Sequence, residues 1–226
     1  TLPSTEMTLL HMSDLHIDVF HDFADVILEK VSGLKYDAVV LTGDYRFDTA
    51  GDNGPALQGM LKLAEGLTAP IFAVLGNHDS LSMVPDLESY GIRVLINESV
   101  ELVPGIHLSG IDDPHYFRCH DIHKATAQVP DGALTVLLAH SPEVYEEAAQ
   151  SGVDLLLCGH THGGQIRLPG GFPLTINADC PRKYGSGLWQ FANMVGYTSK
   201  GTGSSLLDVR FNCAPEVALH HVRVNG

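Results

Sequence analysis

Five short apolar runs, each followed at once by a polar motif, constrain the fold of this chain more than any other feature. The runs span residues 7–12, 37–42, 71–75, 134–139 and 154–158. Their length and their lack of polar alternation are typical of strands that are buried on both faces. Helical patterns alternate with these runs, at residues 20–31, 56–67 and 142–151. This β-α-β alternation predicts a core of largely parallel strands.

Two other segments break this rhythm with closely spaced β patterns, at residues 92–110 and 197–224, the second with strands expected at 206–211 and 217–224. The sequence therefore predicts an α/β fold, a four-layer α/β/β/α sandwich of two mixed sheets flanked by helices. The last helix is expected to use Ser141 as its cap, Pro142 in its first turn and Gly152 as its end. A length of 226 residues suits one such unit, so residues 1–226 are predicted to form a single domain.

The polar motifs after the five runs contain Asp, Asn, His and Gly, at residues 13–16, 43–44, 76–79, 140–142 and 159–163. Because ligands of open α/β sheets bind outside the carboxyl ends of the strands, we expect these motifs to meet in one crevice. Seven of their side chains are candidate metal ligands: Asp14, His16, Asp44, Asn77, His140, His160 and His162.

Imidazole mixed with carboxylate, and with no thiolate, suits Mn, Fe, Co, Ni or Zn rather than Ca²⁺. Asp14 and His16 lie two residues apart, so in extended backbone their side chains would point the same way, and His160 and His162 have the same spacing. A single Asp-x-His is normally a surface or capping pair, and the 77–79 segment alone reads as a turn. The five motifs together predict a metal centre.

The order Asp-x-His, Gly-Asp, Gly-Asn-His-Asp, His, Gly-His-x-His resembles the calcineurin-like metallophosphoesterase superfamily. The segments 110–114, 159–167, 200–203 and 209–216 further resemble a bacterial subgroup. That subgroup contains the YkuE/YaeI-like phosphodiesterases and UDP-2,3-diacylglucosamine pyrophosphatases. The resemblance implies the same sandwich fold and a metal-dependent phosphohydrolase that cleaves phosphodiester or pyrophosphate bonds.

The resemblance also implies two divalent ions, drawn from Mn, Fe, Zn, Co or Ni, with a hydroxide shared between them. One ion would be held by Asp14, His16 and His162. The other would be held by Asn77, His140 and His160, and Asp44 would bridge the pair. Many members have an Asp three residues after the bridging Asp, whereas this chain has Phe47 there and Asp48 one residue later, so Asp48 is assigned no role.

Two further residues are predicted to be catalytic. His78 is not required as a ligand and is expected near the leaving group, as a proton donor or a stabiliser of negative charge. Asp79 is expected to orient His78. Asn77 and Arg46 are predicted to contact substrate, whereas the basic residues His115, Arg118, Arg182 and Lys183 are better explained as surface charge.

The charge of the chain bears on its partners. A formal net charge of −14, with 13 Lys and Arg against 27 Asp and Glu, argues against a nucleic-acid partner. Bound cations would still attract phosphate locally. The expected partner is a phosphate-ester or pyrophosphate substrate, a nucleotide-sugar lipid among them. A cyclic-nucleotide phosphodiesterase and a catalytically silent binding module of the same fold are the alternatives.

The cysteines and the apolar content bear on disulfide bonds, on membrane spans and on localisation. The four cysteines are far apart with no Cys-x-x-Cys, so we expect free thiols. No apolar run reaches the roughly 20 residues that span a bilayer, and the first residues do not form a signal peptide. We therefore expect a soluble chain. The sequence leaves open whether it is cytoplasmic, peripheral to a membrane, or exported after loss of an upstream segment.

Overall fold

The structure is a computed structural model that describes residues 5–20, 22–204 and 209–224. Its first sheet has five strands, in the spatial order β13 (Ala218–Val224), β1 (Thr5–Met12), β2 (Ala38–Thr42), β3 (Ile71–Val74) and β4 (Ile92–Val94). The strands β1 to β4 run parallel, and β13 pairs antiparallel with β1.

The second sheet has six strands, in the order β11 (Gly187–Phe191), β12 (Met194–Thr198), β8 (Leu155–Cys158), β7 (Leu134–Leu138), β6 (Ile106–Gly110) and β5 (Glu98–Val103). Its four central strands are parallel, and the outer strands β11 and β5 are antiparallel to their neighbours. A short hairpin, β9 (Arg167–Leu168) and β10 (Phe172–Pro173), stands apart from both sheets.

Five α-helices cover the outer faces of the sheets: α1 (Phe23–Val31), α2 (Gly54–Gly66), α3 (Val84–Ser89), α4 (Ile122–Thr126) and α5 (Tyr145–Gln150). The helices α1 to α3 contribute Ile27, Met60 and Leu87 to an apolar core on the first sheet. The helices α4 and α5 contribute Ile122 and Ala148 to a core on the second sheet. Each sheet therefore has a helical layer of its own.

A third apolar cluster fills the space between the two sheets, with Leu9 and Val40 from one side and Leu108 and Leu138 from the other. Along β1, Leu9 faces this inner cluster and Leu10 faces the helices, as the two-residue period of a strand requires. Both faces of the central strands are buried, which explains their continuous apolar runs. The predicted sandwich of two mixed sheets flanked by helices is confirmed.

Some predicted boundaries are wrong. The first helix begins at Phe23 rather than at residue 20, because Phe20 lies in a turn and is 48% exposed. The segment 142–151 is a 3₁₀ turn, Pro142–Val144, followed by the short helix α5. Ser141 occupies the N-cap position of this turn, as predicted, but its side chain makes no capping hydrogen bond.

Of the two strands predicted near the C-terminus, one is present among the described residues. The strand expected at 217–224 is β13, which begins at Ala218. The strand expected at 206–211 lies partly outside the described residues, and its described end forms a single bridge between Phe211 and Ile166. Among the helices described, none is long and apolar enough to cross a membrane.

We predict that Leu138→Ala will destabilise the protein strongly, because Leu138 is fully buried between the sheets. The cavity left by this change should cost about 2–5 kcal/mol of unfolding free energy. Leu188→Ala is the matched control, since Leu188 lies on β11 with 75% of its surface exposed. Chemical denaturation monitored by circular dichroism measures both changes. Equal stability of the two variants would contradict the inter-sheet packing described above.

Candidate metal centre

The predicted ligands come together at the carboxyl ends of strands from both sheets. Five of them have a positive φ, which is uncommon for residues other than glycine: Asp14, His16, Asp44, His160 and His162. Such left-handed backbone costs about 1–3 kcal/mol per residue and concentrates at functional sites. The predicted ligands do meet at one place. The prediction that extended backbone makes the side chains of Asp14 and His16 point the same way is wrong, however. Turns, not strand pleating, aim these side chains.

One group of possible ligands consists of Asp14, His16 and His162, all buried. The Nε2 atom of His162 lies 3.3 Å from Oδ1 of Asp14 and 3.3 Å from Nε2 of His16. Asp14 and His16 follow β1 of the first sheet, and His162 follows β8 of the second. A single cation can therefore contact both sheets at this point.

The second group consists of Asp44, His140 and His160, which are also buried. Nε2 of His140 lies 3.3 Å from Oδ2 of Asp44 and 3.2 Å from Nδ1 of His160. The Oδ1 atom of Asn77 is 3.0 Å from the same His140 nitrogen, so the amide borders this group as expected.

The Asp44 carboxylate lies between the two groups. Its Oδ2 atom, 3.3 Å from His140 Nε2 in the second group, is also 4.0 Å from His16 Nε2 in the first. A carboxylate in this position suits a ligand shared by two cations. The other oxygen, Oδ1, accepts a hydrogen bond of 2.9 Å from the backbone N–H of His78.

Backbone carbonyls orient three of the four histidine rings. His16 Nδ1 donates to the carbonyl of Arg46 at 2.6 Å, and His140 Nδ1 donates to that of Thr42 at 2.7 Å. His160 uses its Nε2 atom instead, with the carbonyl of Asn177 at 2.8 Å. In a neutral ring, each of these bonds leaves the opposite nitrogen, the one that faces the other ligands, with a free lone pair.

The ring of His162 differs from the other three. Its Nδ1 atom faces Nη2 of Arg210 at 3.2 Å, and Nε2 is the nitrogen that faces the first group. Neither the carbonyl partners nor Arg210 was identified from the sequence. These contacts join residues far apart in the chain, and such contacts leave no pattern in the sequence.

Burial controls the protonation of these rings. It lowers the pKa of His16 to about 4 and the pKa values of His160 and His162 to about 3, so these imidazoles are neutral near pH 7. A neutral imidazole is the form that binds metal. For His140, burial acts in the same direction, but the Asp44 carboxylate overrides it and raises the pKa to about 10. A proton thus holds the His140–Asp44 pair together, and a divalent cation would replace it.

Two glycines allow the ligands to approach closely. A Cβ atom on Gly159 would lie 1.8 Å from Ser13 Oγ and 2.3 Å from Oδ2 of Asp14. A Cβ atom on Gly76 would lie 2.2 Å from Oδ1 of Asp44. Any larger side chain would therefore displace a carboxylate from its group, so glycine is required at these two positions.

His78 lies at the open edge of the centre. Its side chain is 19% exposed, and its Nε2 atom is 3.9 Å from Oδ2 of Asp44. The Nδ1 atom donates to the carbonyl of Phe47. This bond directs Nε2 toward the space in front of the two groups.

The prediction that Asp79 orients His78 is wrong. The Asp79 carboxylate is buried and accepts hydrogen bonds from backbone N–H groups of Gly76, Asp44, Tyr45 and Arg46. Asp79 therefore holds the backbone beneath the centre in place. The Phe47 carbonyl, rather than Asp79, orients the ring of His78.

Other basic residues occupy different positions. Arg46 is only 4% exposed and lies beside the centre, outside both ligand groups. The ring of His115 packs 4.1 Å from that of His160 and forms a 2.8 Å hydrogen bond with Glu143. Of the basic residues considered from the sequence, Arg118, Arg182 and Lys183 are exposed. The four cysteines are free thiols, as predicted.

Comparison with known proteins now decides the family. The sequence family described as Calcineurin-like phosphoesterase matches residues 7–164. This chain belongs to that family. Phosphodiesterase YaeI of Escherichia coli (strain K12) is 34% identical over 225 residues, which cover 93% of this chain and 80% of that protein. The metallophosphoesterase YkoQ of Bacillus subtilis (strain 168) is 28% identical over 230 residues, which cover 96% of this chain and 84% of the relative.

A solved structure supports the fold independently. The Haemophilus influenzae NAD nucleotidase NadN matches 97% of this chain and 53% of its own chain, with a TM-score of 0.61 at 14% identity. At that identity the likeness concerns the fold alone. The family implies divalent metal ions, and the two buried groups of His and Asp fit such ions by residue type and by spacing.

We predict that Gly159→Ala will weaken metal binding, because the added methyl group would displace the Asp14 carboxylate. Gly33→Ala is a control for a general loss of stability, since Gly33 has a positive φ, which Gly159 lacks, but has no atom within 4 Å of the added Cβ. Elemental analysis after dialysis against a defined free Mn²⁺ concentration should show reduced metal content only for Gly159→Ala. Full metal content in that variant would show that Asp14 is not a ligand.

Proposed function

We propose that this chain is a binuclear metal-dependent phosphoesterase that hydrolyses phosphodiester or pyrophosphate bonds. The observation that carries the proposal is the position of the Asp44 carboxylate between two buried ligand groups. A relative named as a phosphodiesterase, covered over most of its length, favours diester chemistry.

Two divalent cations held there, of Mn, Fe, Zn, Co or Ni, would lower the pKa of a shared water and polarise the phosphoryl oxygens. The protein would hold the first cation with Asp14, His16 and His162. It would hold the second with Asn77, His140 and His160, and it would bridge the two with Asp44. The backbone carbonyls that orient the imidazoles keep these donors aimed before substrate arrives.

His78 is proposed to act on the leaving group. With Nδ1 donating to the Phe47 carbonyl, Nε2 carries a proton only when the ring is an imidazolium. In that form Nε2 can give its proton to the departing oxygen or stabilise negative charge on the phosphoryl group. Asn77 and Arg46 are proposed to contact substrate, and Asp79 to maintain the backbone that presents Asp44.

The proposal treats residues 1–226 as one domain, since β13 near the end of the chain pairs with β1 at its start. A catalytically silent binding module is the alternative from another class. It is disfavoured because all seven ligand candidates and His78 are present and surround one centre. A cyclic-nucleotide phosphodiesterase uses the same chemistry and differs only in substrate.

A substrate panel separates these possibilities. The Mn²⁺-loaded protein should hydrolyse bis(4-nitrophenyl) phosphate faster than 4-nitrophenyl phosphate, and chelation should abolish both activities. Cyclic AMP and a nucleotide-sugar diphosphate lipid complete the panel. No turnover of any phosphate ester by the fully metal-loaded protein would favour the silent module, and comparable turnover of monoester and diester would remove the diester preference.

We predict that Asp44→Ala and His78→Ala will fail in different ways. Asp44→Ala should lose most bound metal and all activity, because no other carboxylate of the described residues lies between the two groups. His78→Ala should retain its metal and lose roughly 10²- to 10⁴-fold in turnover of unactivated esters if His78 is a general acid. The loss should be smaller for nitrophenyl esters, whose leaving group departs without a proton.

The controls are Asp131→Ala and His123→Ala, which change exposed residues of the same types. Both should keep the metal content and the activity of the parent protein. A large loss of metal in His78→Ala would show that His78 is itself a ligand. An equal loss of turnover for activated and unactivated esters would assign His78 to charge stabilisation rather than proton transfer.

A further inference from the structure

A cavity of about 450 Å³ lies beside the metal centre, at the carboxyl end of β3. Its walls come from the 46–53 loop, the segment 80–82, and Phe117 of a neighbouring loop. Gly76 lies on the border between the cavity and the centre, because the place of its missing Cβ is 2.2 Å from Oδ1 of Asp44. The cavity therefore adjoins the centre at this glycine.

Arg46 lines the cavity, and its side chain is buried without an ion-pair partner among the described residues. Arg46 is only 4% exposed, yet within the described part of the chain it forms no ion pair, and its guanidinium has a single hydrogen bond of 3.4 Å to the carbonyl of Gly51. Arginine is always charged, and buried charges are normally paired. This guanidinium has the charge and the geometry to receive an oxyanion.

Two carboxylates, those of Asp79 and Asp112, also line the cavity, and both accept hydrogen bonds from backbone N–H groups. Asp79 accepts hydrogen bonds from four backbone N–H groups. Asp112 accepts one of 2.8 Å from the N–H of Asp113. Neither lies within ion-pair distance of Arg46 in the described structure, so the protein leaves its cation without a partner of its own.

A second polar group in the same cavity is also incompletely satisfied. The Nδ2 atom of Asn53 donates to Ser82 Oγ at 2.9 Å, but its buried Oδ1 atom has no hydrogen-bond partner among the described residues. The hydroxyls of Ser80 and Ser82 are 2.9 Å apart and face the same space. Together with Arg46, these groups provide a polar end, whereas Leu75 and Leu81 provide an apolar wall.

We infer that this cavity binds a second anionic group of the substrate, a carboxylate or a phosphate several bonds from the scissile phosphoryl group, with Arg46 as its counter-ion. The inference rests on the proposed hydrolysis at the neighbouring centre. It explains why an acidic chain with only 13 Lys and Arg buries one of them beside that centre. The preferred substrates are therefore dianionic or more highly charged phosphodiesters.

A pair of synthetic diesters tests the inference. The compounds 4-nitrophenyl butyl phosphate and 4-nitrophenyl 3-carboxypropyl phosphate share a leaving group and a chain length, and they differ by one carboxylate. The Mn²⁺-loaded protein should have a kcat/KM at least about 10-fold higher for the carboxypropyl ester, as expected for one charge-assisted hydrogen bond. The difference should lie mainly in KM.

Chain length separates a specific site from general attraction to the metals. The carboxymethyl ester carries the same charge but should not reach Arg46, so its advantage over the ethyl ester should be small. An equal advantage at both chain lengths would overturn the inference, and so would no advantage at either. Failure of the metal-loaded protein to hydrolyse the butyl ester would instead contradict the proposed function.

Variants of Arg46 identify the counter-ion. Arg46→Gln should reduce the carboxypropyl-to-butyl ratio of kcat/KM to about one, and Arg46→Lys should retain part of it. The control Arg93→Gln changes an exposed arginine of β4 and should leave the ratio unaltered. A full ratio in Arg46→Gln would overturn the assignment. Should that variant fail to fold, the chain-length comparison in the parent protein still decides the inference.

Discussion

One buried carboxylate holds the floor of the metal centre in place. Asp79 accepts hydrogen bonds from Gly76 and from three successive residues that begin at Asp44. It therefore ties the loop after β3 to the loop after β2, and the Asp44 carboxylate, the ring of His78 and the guanidinium of Arg46 all extend from these loops. Burial and the nearby Asp44 raise the pKa of Asp79 to about 7, and its backbone donors oppose this rise. A bound cation beside Asp44 would further favour the ionised carboxylate that these donors need.

The parts of the fold that could be predicted were those with a local signature. The central strands are buried on both faces, so their apolar runs stand out in the sequence, and glycine and polar residues follow at the strand ends. By contrast, β11 was missed because its five residues, Gly187–Phe191, do not form an apolar run. The antiparallel β13 was found, but its pairing with β1, more than 200 residues away in the chain, depends on tertiary packing.

In the candidate site, too, features with a local sequence signature were predicted, whereas features that depend on tertiary contacts were not. Residue types and order identified the ligand groups, since Asp and His are needed there for their chemistry. The role of Asp79 could not be identified in this way, because its partners are backbone N–H groups and any residue can supply those. Nor could the left-handed backbone at Asp14 and His160 be predicted, since no glycine signals it. Asp and His tolerate that conformation better than most residues, which lets one position supply both the turn and the ligand.

Each ligand group contains residues from both sheets, and this has a consequence for how the protein forms. Asp14 and His160, which contact each other through a hydrogen bond, are 146 residues apart in the chain. Closing so long a loop is slow and costs entropy before any contact repays it. During synthesis, a ribosome would have to release the whole of β8 and the turn that carries His160 and His162 before both groups could be complete. Either ligand group is complete only when segments of both sheets have come together, so a cation held by a complete group would stabilise the assembled sandwich rather than one early segment of the chain.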